Sequence, residues 1–519
     1  MRSAKTIAAL LCFVIALSAQ GVYAEYPEIL WWYDVDAPSF GSGAAADIDG
    51  DSILEIVFGT YFNDERIHAL NAESGDSLWT FFTDGCNDAS SAIADVDLDG
   101  ELEVIAPASS PSMVYCFNGT TGDIEWSTPT GYDHCIDSPP AVADVDNDGK
   151  PEVILGTFLG NVFCLNGEDG SECWQINLGT NSYIQSGPNI LDLDGDDDLD
   201  VVVAQYAGDC KIFGLEGHTG DTLWSCDAPT DYMYHGGSFA DIDEDSLMEI
   251  AIGSYEGKLF VINAEDGSVE WTYPTAWYIG APTSIADLDN DGHLEVVVVS
   301  YNKVSVLSHT GSHQWSYSAG GGIFRGVSIA DINGDDTLDV VFGADDGILR
   351  VLTGSHGSTV WTLDLEAHYG RTFEIDNAPV IEDFDGDGKL DIFIVGGYGT
   401  SSAPENNHGR AYAIAAGDGT GPGWPMFRHD LYHTARFSVE EEEEYVCGDA
   451  DGSGSVDIDD AVYLINYIFA EGPPPEPFAS GDADCSGEVD IDDVVYLIGY
   501  IFSGGFDPCD PDGDTIPDC

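Results

Sequence analysis

From Ala44 onward the chain sets short apolar runs between polar, glycine-rich stretches, and the pattern recurs. The unit from Ser138 to Trp174 is representative. It reads Pro140 to Ala143, an acidic loop Asp144 to Gly149, the run Glu152 to Leu155, a short loop, Asn161 to Leu165, a turn at Gly170, and Trp174. The runs have strand length and β-branched content and are too short for helices, which predicts four strands per unit. The acidic loop appears eight times, opening at Asp47, Asp95, Asp144, Asp192, Asp241, Asp287, Asp331 and Asp383, with a spacing of 44 to 52 residues. A fixed period of that size predicts a repeat architecture. A second landmark keeps the same register: Gly75, Gly122, Gly170, Gly220, Gly267, Gly311 and Gly357 each stand four residues before Trp79, Trp126, Trp174, Trp224, Trp271, Trp315 and Trp361. These tryptophans read as packing between neighbouring outer strands.

Eight four-stranded sheets of this size predict an all-β chain built as an eight-bladed β-propeller. Trp424 is expected to end the eighth unit, with one residue inserted after Gly419, and Trp32 precedes the first unit in a similar context. Nine outer-strand candidates for eight blades are what a ring closed by one terminus requires.

Each acidic loop carries carboxylates or their equivalent at positions one, three, five and nine. The sets are Asp47, Asp49, Asp51 and Glu55; Asp95, Asp97, Asp99 and Glu103; Asp144, Asp146, Asp148 and Glu152; and Asp192, Asp194, Asp196 and Asp200. They continue with Asp241, Asp243, Asp245 and Glu249; Asp287, Asp289, Asp291 and Glu295; Asp331, Asn333, Asp335 and Asp339; and Asp383, Asp385, Asp387 and Asp391. Calcium takes six to eight oxygen ligands, and a tight loop with alternate carboxylates aims several at one point. Several bound calcium ions are therefore expected. On these loops, residues 30–436 resemble the FG-GAP or VCBS repeat family, the calcium-loop propellers that include the integrin alpha-subunit head. That resemblance implies acidic loops joining the first and second strands on one face of the disc. The Gly-x-x-x-Trp element also looks like the repeats of quinoprotein dehydrogenases, whose adjacent cysteine pair is missing here.

The acidic run Glu440 to Glu444 marks a boundary. Beyond it, two twelve-residue loops with Gly at position six each precede an amphipathic helix, over Ala461 to Phe469 and Val494 to Phe502, which predicts a small α-helical calcium-binding domain. Their candidate ligands are Asp449, Asp451, Ser453, Ser455, Asp457 and Asp460 in the first loop, and Asp482, Asp484, Ser486, Glu488, Asp490 and Asp493 in the second. This module is similar to a type I dockerin. The resemblance implies docking to a cohesin-like protein through Ile458, Asp459, Ile491 and Asp492, where Ile-Asp replaces the usual small polar pair. Asp510, Asp512, Asp514 and Asp518, between Cys509 and Cys519, look like a fragment of a thrombospondin type 3 repeat with one further ion. The expected layout is a signal peptide over 1–24, the propeller over 25–437, an acidic linker over 438–446, the dockerin-like module over 447–505 and the calcium tail over 506–519.

The signal reading rests on Arg2 and Lys5, the apolar stretch Thr6 to Ala19, and Val22 to Ala24 before the cut. It makes the protein secreted, extracellular or surface-associated. Cys12 follows Leu11 without the small residue of a lipoprotein site, and no later run is long enough to span a bilayer. The balance of 14 Lys plus Arg against 95 Asp plus Glu, net −81, argues against nucleic acid as a partner. Eleven cysteines follow the leader. An exported location permits disulfides, the odd number leaves at least one unpaired or intermolecular, and spacing leaves the pairing open.

The face opposite the acidic loops is expected to be aromatic. Tyr61, Phe158, Tyr206, Tyr255, Tyr301 and Tyr398 follow the second strands. The loops between blades add Tyr132, His134, Tyr183, Tyr232, Tyr234, His235, Trp277, Tyr278, Phe324, Arg325, His368, Tyr369 and Arg371. Such rings suit sugar units or protein loops. The leading reading is a binding or adhesion module for a polysaccharide or surface protein. Alternatives are a polysaccharide lyase or hydrolase of the rhamnogalacturonan-lyase type, using His235, His368, Arg325 or Arg371, and a structural surface-layer protein. No compact acid/base pair supports catalysis. His429 and His433 have zinc-like spacing but read as part of a closing segment.

Overall fold

A computed structural model describes residues 26–131, 135–179, 182–196, 198–419 and 422–433. In the C-terminal part it describes 448, 450, 456, 458–470, 475, 478–481, 483, 489, 491–503 and 508. The leader (1–24), the linker (438–446) and the tail (509–519) lie outside the described residues. The chain divides into two compact units, 1–437 and 438–519.

The first unit is an eight-bladed propeller of four-stranded antiparallel sheets. Blade 1 shows the order: inner strand Ala44–Ala46, then Glu55–Gly59, Arg66–Asn71, and outer strand Ser77–Phe82, each paired with the one before. Second strands such as Glu55–Gly59 and Glu295–Ser300 are buried at every position because a neighbouring blade covers each face. Outer strands alternate exposed and half-buried positions, since only one face meets another blade.

The N-terminal strand Glu28–Val35 closes the ring. It pairs with His408–Gly417 as the outer strand of blade 8, beside Leu390–Tyr398 and Val380–Glu382. A bulge after Ile29 shifts the register and puts Trp31, not Trp32, at the landmark position. Trp31 is buried and its indole N–H donates to Ala72 O at 2.7 Å, while Trp32 is exposed beneath the Arg410 guanidinium. The same bond recurs from Trp79 to Gly119 O, Trp126 to Gly167 O, Trp174 to Gly217 O and Trp315 to Gly354 O. Each tryptophan therefore clamps the next blade, and the turn glycine explains why. Gly122 has φ +69°, and a Cβ there would lie 2.6 Å from the Trp79 ring.

Trp424 does not end an outer strand. It lies on Pro422–Trp424, which pairs with the inner strand Ser328–Ala330 of blade 7. From there residues 425–433 cross the channel as a plug. Pro425 O accepts from Ile381 N–H, Leu431 O from Ile93 N–H, and Tyr432 O from Val142 N–H, at 3.0 to 3.1 Å. These bonds satisfy inner-strand donors that an empty channel would leave to water. His433 is part of this closure: it is buried, and its Nδ1 donates to Pro140 O at 3.0 Å.

In the second unit the helices Ile458–Ala470 and Ile491–Ser503 pack through Ala461, Leu464, Val494 and Leu497. No helix among the described residues is long and apolar enough to cross a membrane.

Candidate functional site

The acidic loops join first to second strands, so antiparallel order puts all eight on one face. In the first, Asp47 Oδ1 accepts the N–H groups of Gly50 and Asp51 at 2.8 and 3.1 Å, and Oδ2 that of Ser52 at 2.9 Å. Asp51 Oδ1 accepts Ile53 N–H at 2.9 Å. The first aspartate thus folds the loop around its own carboxylate, and Asp241, Asp287, Asp331 and Asp383 do the same.

The ninth position is anchored from the second strand. Glu55 Oε2 accepts Ile48 N–H at 3.2 Å, and Glu103, Glu152, Asp200, Glu249, Glu295, Asp339 and Asp391 repeat the bond to Val96, Val145, Leu193, Ile242, Leu288, Ile332 and Phe384. All eight are buried. At Glu55, Glu103 and Asp200 an oxygen of this residue meets those of the loop aspartates, and in two further loops the aspartates converge among themselves: one ligand atom each from Asp47, Asp49 and Glu55 lies within 4.8 Å of the others. Asp95, Asp97 and Glu103, the trio Asp144, Asp146 and Asp148, then Asp192, Asp194 and Asp200, and the trio Asp241, Asp243 and Asp245 do likewise.

Burial, aided by neighbouring charges such as Asp49 beside Glu55, raises the Glu55, Glu152, Glu295, Asp339 and Asp391 carboxyls to about 7. Glu103 and Glu249 are raised to about 8, and Asp200 to about 6, by burial first. Asp144 Oδ1, Asp289 Oδ1 and Asp339 Oδ1 are buried without a hydrogen-bond partner. Asn333 donates its amide to Asp339 Oδ2 at 2.9 Å, which leaves its own oxygen free. Bare convergent oxygens in a desolvated loop are the chemistry of a hard divalent cation site.

The opposite face carries a continuous file of rings over blades 3 to 6. Phe158 stacks on Tyr183 with centroids 5.0 Å apart, Tyr183 on Tyr206 at 6.5 Å, and Tyr206 meets Tyr232 at 4.9 Å. Tyr232 and Tyr255 are 6.0 Å apart, Tyr255 and Tyr278 4.9 Å, and Tyr278 and Tyr301 5.9 Å, with Trp277 6.1 Å from Tyr301. Backbone bonds fix the steps: Tyr206 N–H donates to Tyr183 O, Tyr255 N–H to Tyr232 O and Tyr301 N–H to Tyr278 O. Trp277 is 60% exposed and Tyr232 41%, enough to lay a flat face to solvent. A second group sits at blade 8, where the Arg410 guanidinium lies 4.7 Å from the Tyr369 ring and Arg371 5.9 Å from it.

Not every candidate is displayed. Arg325 is 2% exposed and crosses the channel mouth. It donates to Phe40 O at 2.8 Å and Asp88 O at 2.5 Å, and its Nη1 lies 3.2 Å from His235 Nδ1. His235 is buried beside it, and burial with the Arg325 charge pushes its pKa well down, so the ring is neutral. Tyr234 and Phe324 are half-buried over the same mouth, 5.4 Å apart. His368 is exposed and contacts the Tyr412 hydroxyl of blade 8 at 3.1 Å. Tyr132 and His134 lie outside the described residues.

So do the loop ligands Asp449, Asp451, Ser453, Ser455, Asp457, Asp482, Asp484, Ser486, Glu488 and Asp490, and Asp510, Asp512, Asp514 and Asp518. Asp460 and Asp493 are buried in the first turns of the two helices, and Asp459 and Asp492 share those turns. Ile458 and Ile491 are exposed, and so are Val462 and Ile465 on one helix and Val495 and Ile498 on the other. Sequence reading passed over these four residues, although their i, i+4, i+7 spacing from each isoleucine was available. It also passed over Asp88, Asp137, Gln185 and Asp376 at the mouth, which aligning the inter-blade loops on Ile136, Ile184 and Ile375 would have found.

Residues 144–203 and 287–342 match the FG-GAP-like repeat. These stretches run from the acidic loop of blade 3 into blade 4 and from that of blade 6 into blade 7. No curated protein matches the sequence. Among solved structures, the computationally designed protein Ika8 is 15% identical, with a TM-score of 0.52, covering 74% of this chain and 99% of its own. Sqt1 of Saccharomyces cerevisiae is 13% identical, at 0.55, covering 75% and 98%. A europium-containing methanol dehydrogenase is 12% identical, at 0.54, covering 75% and 93%. At such identities the likeness shows the propeller fold.

Proposed function

We propose that this chain is an exported, calcium-loaded propeller that binds polysaccharide on its aromatic face and is tethered to an extracellular assembly by its C-terminal module. The observation that carries the reading is the file of rings from Phe158 to Trp277, held in step by backbone bonds and open to solvent. Aromatic planes at successive steps suit successive sugar rings, whose apolar faces stack and whose hydroxyls stay wet. Calcium on the other face is structural, holding eight loops whose carboxylates otherwise repel. The burial of Arg325 and His235, with Arg325 donors spent on backbone carbonyls, favours binding over lyase chemistry.

Tethering draws support from the two matching stripes, Ile458, Val462 and Ile465 against Ile491, Val495 and Ile498. Each offers the same apolar face to a cohesin-like partner, so either helix can dock.

The test is binding of the calcium-loaded chain to a polysaccharide panel, beside the triple variant Tyr183→Ala, Tyr232→Ala, Trp277→Ala. Retained binding by a folded triple variant would place the site elsewhere. Ultraviolet absorbance from unsaturated products would mark a lyase instead.

A further inference from the structure

Several loops between blades set a side chain at the rim of the central channel, on the aromatic face, directly after a buried loop residue such as Ile136, Ile184 or Ile375, and the loop from blade 5 to blade 6 has Gly280 at that place. At this rim one arc is polar, with Asp376, Asp88, Asp137 and Gln185, and the facing arc is aromatic, with Tyr234 and Phe324. Arg325 forms the floor with its donors already engaged.

The polar arc has acceptors without donors. Gln185 Nε2 donates to Asp137 Oδ2 at 2.7 Å, and beyond that bond Asp137 Oδ1 and Gln185 Oε1 have no partner, although the two residues are 8% and 2% exposed. Asp88 Oδ1 is likewise buried and bare. A buried acceptor left unpaired is costly, so the arrangement calls for a donor-rich ligand. A ligand carboxylate would bring only further acceptors to this arc, and Arg325 Nε, Nη2 and Nη1 already bond Phe40 O, Asp88 O and His235. A hydroxyl-bearing ring fits both arcs: its O–H groups donate to the acceptors and its apolar face lies on Tyr234 and Phe324. The neighbouring file of rings leads away from Tyr234, which is 5.0 Å from Tyr206.

We infer that the channel mouth is the subsite for the terminal sugar of a glycan, one without a carboxylate, while the body of the chain lies along the file of rings. This rests on the carbohydrate reading above and adds where the chain ends and which sugars are refused.

The experiment uses the full calcium-loaded chain and titrates neutral oligosaccharides of increasing length and uronic-acid oligosaccharides of matched length. The wild type is compared with Asp137→Asn and with Asp88→Asn, whose backbone carbonyl still holds Arg325. Both variants are checked by their melting midpoints, and the second serves if the first does not fold. The expected result is at least tenfold weaker binding of short neutral oligosaccharides by the variants and no binding of the uronic series. Unchanged affinity in a folded variant would overturn the mouth subsite while leaving the aromatic-face reading in place. Equal binding of the uronic series would overturn the donor argument. If no glycan binds the wild type, the carbohydrate reading itself falls.

Discussion

Removing the cation should make the propeller more stable in acid than in mild base, the reverse of the usual behaviour of a paired carboxylate. The ninth-position groups carry folded-state pKa values of about 7 to 8 at Glu55, Glu103 and Glu249, against 4.5 for an ordinary glutamate. Between those values the folded chain holds protons that the unfolded chain has released, so stability falls as pH rises through that window. A shift of that size corresponds to about 3 to 5 kcal/mol at one site, taken as an upper bound because water and ions relax the field. On the proposed reading, calcium takes the place of the proton. At a hundredfold excess over its dissociation constant it contributes about 2.7 kcal/mol per site if it binds only the folded state. For about 400 residues the unfolding entropy is about 0.8 kcal/mol/K, so eight sites raise the midpoint by roughly 25 °C. The assay is scanning calorimetry at pH 5, 6.5 and 8, with chelator and with excess calcium. The chelated midpoint should fall steadily from pH 5 to 8, and the gain from calcium should be largest at pH 8. A chelated midpoint flat across this range, or a calcium gain equal at pH 5 and pH 8, would refute the reasoning.

Trp174→Phe should cost about 1 kcal/mol more than Trp271→Phe in paired denaturant melts, because the Trp174 indole donates to Gly217 O at 2.7 Å while the buried Trp271 N–H has no partner. Truncation before Pro422 should lower the melting midpoint and speed amide exchange at Ile93, Val142 and Ile381, whose N–H groups the plug satisfies. Cys164 and Cys173 face each other at the bulge between the third and outer strands of blade 3, their thiols in hydrogen-bonding contact. Thiol–disulfide exchange with an oxidised dithiol donor should link them, and a non-reducing peptide map after incubation with that donor would show the joined peptides; free thiols at both positions would exclude it. Replacing Val462 and Ile465, or Val495 and Ile498, with serine should be tolerated singly and abolish docking together, measured by capture on a cohesin-like protein.

Periodicity alone determined the blade count, the strand order and all eight acidic loops, because each unit repeats the same backbone problem and solves it with the same residues. The turn glycine and the clamp tryptophan were legible for the same reason: Gly122 and Trp79 share one contact that repeats from blade to blade. The ends of the ring were not legible. Trp32 and Trp424 looked like further copies, but a one-residue bulge moved the landmark to Trp31, and Pro422–Trp424 paired with an inner strand instead. Local pattern carries no information about which edge a terminal segment will cover, since that is decided by donors left unpaired elsewhere in the fold. The mouth was hidden for a related reason. Arg325 looked like a displayed base in the sequence, yet closing the ring brought it to Phe40 O and Asp88 O, on loops more than two hundred residues away in the chain, where burial turned a surface charge into a floor.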